Sequence, residues 1–202
     1  MRIVECTPGM QGADMVTQLT PSSARALRAA GLDYVVRYLG GLSPGELAVI
    51  LDAGLGCQLV TYGRVGPRSA AMGAQDGAAD LAHLRSLGIP AGMLAWVDLE
   101  AAHGAAADVA AWLDARSSAI VQAGYVAGLY VGDSCILDGP QLYARPHVTR
   151  YWRAFNSWIP VPQCEWSQIQ HAPPNQILAG VQVDRDTAQA DLDGRVPMML
   201  VA

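Results

Sequence analysis

Basic clusters, long apolar runs and paired cysteines are all missing from this sequence. Its 13 basic residues are scattered over 202 positions with no run of Lys or Arg, so there is no electrostatic footprint for nucleic acid or an anionic membrane surface. The formal net charge of −5 favours a neutral or cationic partner. No apolar stretch approaches the roughly 20 residues that span a bilayer, which argues against membrane insertion. Met1 to Gly12 carries Arg2, Glu5, Pro8 and Gly9 and lacks the apolar core of a secretory signal. The expectation is synthesis in the cytoplasm; reaching a cell-wall target would require phage lysis or a signal-independent secretion route. Cys6, Cys57, Cys135 and Cys164 stand far apart, outside any C-x-x-C pair and away from His at zinc-site spacing, which points to free thiols in a reducing compartment.

Familiar catalytic signatures are missing too. No G-x-G-x-x-G follows the first strand and no G-x-x-x-x-G-K occurs, which removes the phosphate loop that an open doubly wound sheet would need. Neither H-x-H nor H-E-x-x-H is present, so no metal is expected, and no cofactor. His83, His103, His147 and His171 are scattered. G-D-S-C around Ser134 lacks the glycines of a nucleophile elbow.

What is present is a chain with 51% hydrophobic and 15% charged residues, the balance of a compact protein with a large core. One core serves chains of up to about 250 residues, so residues 1–202 are read as a single domain. Short β-branched or aromatic runs alternate with Ala/Leu-rich helical runs, the pattern of a parallel α/β fold. Strands are expected at Gly12–Val16, Asp33–Leu39, Cys57–Tyr62, Met93–Leu99 and Val126–Val131, and further ones at Val148–Phe155, Trp166–Gln170 and Gly180–Asp184. Helices are expected at Pro21–Ala30, after Ser43 and Pro44, at Asp76–Leu87 and at Ala105–Ala123. Eight strands favour closure. A closed (β/α)8 barrel normally takes about 250 residues, so the fold expected is an irregular TIM-like barrel with reduced helices in its second half.

In such barrels the working side chains sit at the carboxyl ends of the strands. Those ends present Asp14, then Arg37 and Tyr38, Tyr62 and Arg64, Asp98 and Glu100, Tyr130 and Asp133, Asn156 and Trp158, Gln168 and Gln170, and finally Asp184 and Asp186. Within A-W-V-D-L-E, two-residue alternation puts Asp98 and Glu100 on one side of the strand and Leu99 on the other. Two carboxyls in one small space repel, raising the pKa of one and giving a proton donor beside an ionised partner. A plain D-x-E that caps the next helix or binds a cation is the alternative. Asp14 and Asp184 become neighbours of this pair only if the barrel closes. Of the five Trp residues in a chain with one Phe, Trp158 and Trp166 are the candidates for a ring-stacking platform and Trp112 for the core.

Together G-A-D at Asp14, DYVVRYLGG, L-S-P-G-E-L with D-A-G-L, A-W-V-D-L-E, Q-A-G-Y-V-A-G-L-Y, S-Q-I-Q-H and V-D-R-D resemble the family 25 glycoside hydrolases, the Chalaropsis-type lysozymes. They also resemble a related glycoside-hydrolase-like domain family of unknown function, to which VVRYLGG and DAGL are closer than to the true lysozymes. The resemblance implies an irregular barrel cleaving the β-1,4 bond after N-acetylmuramic acid in peptidoglycan. It implies Glu100 as proton donor and Asp98 as the partner orienting the acetamido group or attacking water, with Asp14 and Asp184 as the acidic residues flanking them. Arg37, Tyr62, Tyr130, Trp158, Trp166, Gln168, Gln170 and Asp186 would line the glycan site. Gln170 stands where the lysozymes have the Gln of W-Q-Y, with Ile169 and His171 in place of the aromatics. Two other readings are a non-catalytic glycan-binding barrel and a metal-dependent phosphoesterase, the latter without a basic phosphate clamp.

Overall fold

The computed structural model describes residues 1–156 and 158–202, among which ten strands and five α-helices are found. In chain order they are β1 (Arg2–Glu5), β2 (Gln11–Met15), α1 (Pro21–Ala29), β3 (Tyr34–Tyr38), α2 (Pro44–Asp52), β4 (Gly56–Val60), α3 (Ala70–Ser86), β5 (Leu94–Leu99) and α4 (Ala106–Gln122). They continue with β6 (Val126–Val131), α5 (Gly139–Tyr143), β7 (Val148–Arg153), β8 (Gln168–Leu178), β9 (Val181–Ala188) and β10 (Met198–Val201). No described helix is long and apolar enough to cross a membrane.

Strands β2 to β9 close into an eight-stranded barrel, and each expected strand has a counterpart in it. Closure is made at β2–β9, where Asp14 pairs with Asp184, and at β4–β5, where Leu59 and Val60 pair with Ala95 and Trp96. The fully buried runs of β4 and β5 are what a sheet covered on both faces requires.

Local chemistry explains the helix starts. Thr20 caps α1 with Pro21 in its first turn, Ser43 caps α2 ahead of Pro44, and Ser69 caps α3. Helix α3 begins six residues before the expected Asp76, because A-A-M-G-A is too small-sided to show a hydrophobic period.

Two features depart from the expected all-parallel repeat. The eighth barrel strand, β9, runs antiparallel to both β8 and β2, forming a long hairpin with β8 that rises past the mouth. The tail and the N-terminus form an antiparallel ribbon, β1–β10, whose Leu200 pairs with Cys57 of β4. That ribbon covers the lower edge of β4, below the part that meets β5.

Candidate active site

Asp98 is the last inward residue of β5 and Glu100 follows the strand. Asp98 is 2% exposed; its Oδ2 accepts from the Gly63 amide at 3.1 Å, and its Oδ1 has no partner. Glu100 is half buried. Both line a cavity of about 290 Å³ with Tyr38, Tyr62, Gly63 and Arg64. A second hollow of about 160 Å³ holds Asp14, Asp184, Asn175 and Tyr38. Val16 and Tyr38 line both, so the mouth is one trough with carboxylates at each end.

Burial does more than mutual repulsion to set the protonation of this pair. It pushes Asp98 up to about 8, with the Glu100 charge as the second cause. Glu100 is raised by burial and then by the charges of Asp133 and Asp184. The deep Asp98 therefore keeps its proton well above the usual carboxylate range, because water hardly reaches it.

Asp14 is raised to about 7, chiefly by burial, while a hydrogen bond from Gln170 opposes the rise. Gln170 holds the Asp14–Asp184 end of the trough. Its Nε2 donates to Asp14 at 2.8 Å and Asp184 at 3.3 Å, and its Oε1 accepts from Tyr130 Oη at 3.3 Å and the Phe155 amide at 3.2 Å. All four hydrogen-bonding positions of the amide are thus filled from within. The Asn175 amide also donates to Asp184.

Tyr62 is half exposed and stacks on Tyr38, with ring centroids 4.7 Å apart. Trp158 is 67% exposed, its Nε1 donating to Asp133 Oδ1 at 2.9 Å. Tyr62 lines the trough, whereas Trp158 lines a separate hollow with Ile136, Leu137 and Ile159.

Four expected site residues lie elsewhere. Arg37 is on the outward face of β3, 1% exposed, with Nε 2.9 Å from Glu46 Oε1 of α2 and Nη1 donating to the Met15 carbonyl. Reading it as a mouth residue counted strand ends without the alternation that sends Tyr38 inward and Arg37 out. Asp186 is wholly buried, with Oδ1 accepting from Trp152 Nε1 at 2.9 Å. Because β9 descends into the barrel, Asp184 stays at the rim and Asp186 goes below it. Burial, followed by the Asp14 charge, raises Asp186 well above the carboxylate range. Gln168 is fully buried beneath Gln170, and Trp166 is buried in the core ahead of β8.

The Gly63 amide and Asn175 were not foreseen. A backbone donor carries no side-chain signature, and Asn175 reaches the site only through the irregular register of the hairpin between His171 and Gln176. Among the described residues no group of three or more His, Cys, Asp or Glu is arranged to hold a metal ion.

The model of the Rv2525c-like, glycoside hydrolase-like domain matches residues 25–193. No curated protein matches the chain. Among solved structures, an uncharacterized B. stearothermophilus protein aligns with a TM-score of 0.70 and 19% identity, over 89% of this chain and 96% of that one. A bacterial lysozyme from Streptomyces coelicolor aligns at 0.63 and 15%, over 92% and 94%. A family 25 glycosyl hydrolase from Bacillus anthracis aligns at 0.64 and 10%, over 92% and 91%. At these identities the likeness is one of fold.

Proposed function

Since the chain belongs to the Rv2525c-like, glycoside hydrolase-like domain family, related to the family 25 glycoside hydrolases, we propose that it cleaves a cell-wall glycan, peptidoglycan or a near relative, at a β-1,4 bond by acid catalysis. The observation carrying this reading is the Asp98–Glu100 pair at the carboxyl end of β5, facing Asp14 and Asp184 across one trough.

Glu100 is the more accessible carboxyl and the one able to reach a glycosidic oxygen. In its acid form it gives its proton to that oxygen as the bond to the anomeric carbon breaks; water supplies the hydroxyl to the sugar and its remaining proton returns to the Glu100 carboxylate. Asp98 sits below it, holding a proton up to about pH 8, and orients the acetamido group or the attacking water. Asp184, held together with Asp14 by Gln170, places negative charge opposite, where an oxocarbenium-like centre develops. Tyr62 and Trp158 offer ring faces to the sugars.

The experiment is turnover of purified peptidoglycan, followed by release of reducing ends, for the unmodified protein and for Glu100→Gln. Loss of release in a folded Glu100→Gln supports the reading; no release by the unmodified protein from any cell-wall glycan overturns it. A non-catalytic glycan-binding barrel is the second reading, favoured by one observation: Trp158 and Tyr62 are exposed independently of any proton chemistry. It predicts glycan binding that Glu100→Gln leaves unchanged.

A further inference from the structure

Three side chains outside the trough stand directly behind its carboxylate pair. Arg68, between β4 and α3, is 4% exposed, yet among the described residues it makes no ion pair. Its Nη2 donates to the carbonyls of Glu100 and Arg64, each at 2.9 Å, and its Nη1 to that of Ala101 at 3.4 Å. Its Nε has no partner. The guanidinium lies over the Trp112 indole, 5.1 Å from the ring centroid.

Arg116 lies against the same indole at 5.2 Å. Asp80 holds it at 2.7 and 2.9 Å, and both its Nη atoms donate to the Tyr62 carbonyl at 3.2 Å. The next amide along, that of Gly63, is the donor to Asp98.

Close helix packing delivers these groups. A Cβ at Gly73 would stand 2.1 Å from the Trp112 carbonyl oxygen, and one at Gly77 would stand 2.8 Å from Ala119 Cβ. The two glycines, one turn apart on α3, let α4 approach until Trp112 and Arg116 reach the loops after β4 and β5.

Packing alone does not call for this chemistry. A buried guanidinium without a carboxylate in contact bears a large desolvation cost, and a neutral donor could satisfy one or two carbonyls without it. What the cation adds is positive charge behind a trough bearing Asp14, Asp98, Glu100 and Asp184, together with a planar fork that spans two loops. Ala101 has φ +44°, a conformation L-residues seldom adopt, so the turn after Glu100 has to be held.

We propose that Trp112, Arg68 and Arg116 form one strut that positions both halves of the D-x-E. Arg68 acts through the Glu100–Ala101 turn, and Arg116 through the Tyr62–Gly63 segment and its amide on Asp98. These are positioning residues. The inference rests on Asp98 and Glu100 being the working pair, but its geometric content needs no turnover.

The test uses the whole protein with carbon-13 in its Asp and Glu carboxyls, titrated by NMR, alongside turnover of cell-wall glycan. Arg68→Met removes charge and fork, and Arg68→Lys keeps the charge alone. In Arg68→Met the higher midpoint of the Asp98–Glu100 pair should rise by about half a unit or more, and in Arg68→Lys it should stay close to the unmodified value. In Arg68→Lys kcat should nevertheless fall about tenfold with KM unchanged, since the acid is displaced while the groups that hold the glycan stay in place. Unmoved midpoints in Arg68→Met, or full kcat in Arg68→Lys, would overturn the strut. If the unmodified protein cleaves no glycan, the hydrolase reading falls and the midpoints still decide the strut. If Arg68→Met does not fold, hydrogen exchange in Arg68→Lys decides. The Ala101 and Ala102 amides, which donate to Asp133 and Ser134 carbonyls at 2.8 and 3.0 Å, should then exchange about tenfold faster, and unchanged exchange there overturns the proposal.

Discussion

The barrel has two unlike halves. From β2 to β5 each parallel strand is followed by a helix, α1 to α4, whereas from β6 to β9 the only helix among the described residues is the five-residue α5 and the last two strands form an antiparallel hairpin. In the regular half, helices packed behind the sheet hold the side chains: Glu46 of α2 holds Arg37, and Trp112 and Arg116 of α4 back the Asp98 and Glu100 loops. In the irregular half only the short α5 stands behind, where Tyr151 of β7 donates to its Leu142 carbonyl, and hydrogen bonds across the mouth take over, with Gln170 gripping Asp14, Asp184, Tyr130 and Phe155. A carboxylate trough can thus be assembled from one side braced from outside and one braced from within.

The largest expected effect separates the halves by function. Glu100→Gln should lower glycan turnover by about 10²- to 10⁴-fold, the range of a general acid, while Asp184→Asn in the hairpin half should lower it by only about tenfold, through charge opposite the reacting centre. Equal losses measured as kcat/KM would erase the distinction.

For stability the regular half should be the costlier to disturb. Arg37→Ala leaves Glu46, 2% exposed, as a buried charge without its cation, and should lower unfolding free energy by about 3–5 kcal/mol in urea. Gln170→Leu strands polar partners close to the trough, where water can replace part of what is removed, and should cost about 2–3 kcal/mol. The reverse order would mean that the hairpin, not the helical half, governs cooperative unfolding.

Acidity offers a third comparison. Asp14, at about 7, and Asp98, at about 8, bind protons in the folded chain that the unfolded chain releases near pH 4. Their contribution to stability is full below that pH and is lost as pH rises through 7 and 8. The urea midpoint should therefore fall between pH 5 and pH 9, and Asp98→Asn should flatten the upper part of the fall. A midpoint that rises over this range would contradict the burial of both groups.

The smallest effect is expected at Trp158. At 67% exposure its replacement by Ala should change stability by less than about 0.5 kcal/mol. It should weaken glycan binding about fivefold, the ~1 kcal/mol that an aromatic face contributes, as read by calorimetry. An unchanged affinity would remove Trp158 from the site.

Local pattern carried much of this architecture. Two-residue alternation and strand-bounding glycines located all eight barrel strands, put Asp98 and Glu100 on one face, and made the adjacency of Asp14 and Asp184 a consequence of closure. Short-range chemistry, Ser43 before Pro44 for example, set helix starts where the following residues had a hydrophobic period. What it could not decide was direction, depth and partnership. That β9 descends, leaving Asp184 at the rim and burying Asp186, depends on its pairing with β2. That the outward Arg37 is buried rather than left in water depends on Glu46 waiting on α2. Gln170 meets Asp14 across 156 positions of sequence, and Trp112 reaches the loops only because Gly73 and Gly77 let two helices close. Alternation and capping are properties of neighbouring residues and can be read along the chain. Which groups are denied water, and which charge or amide meets them there, is fixed only when distant segments pack together.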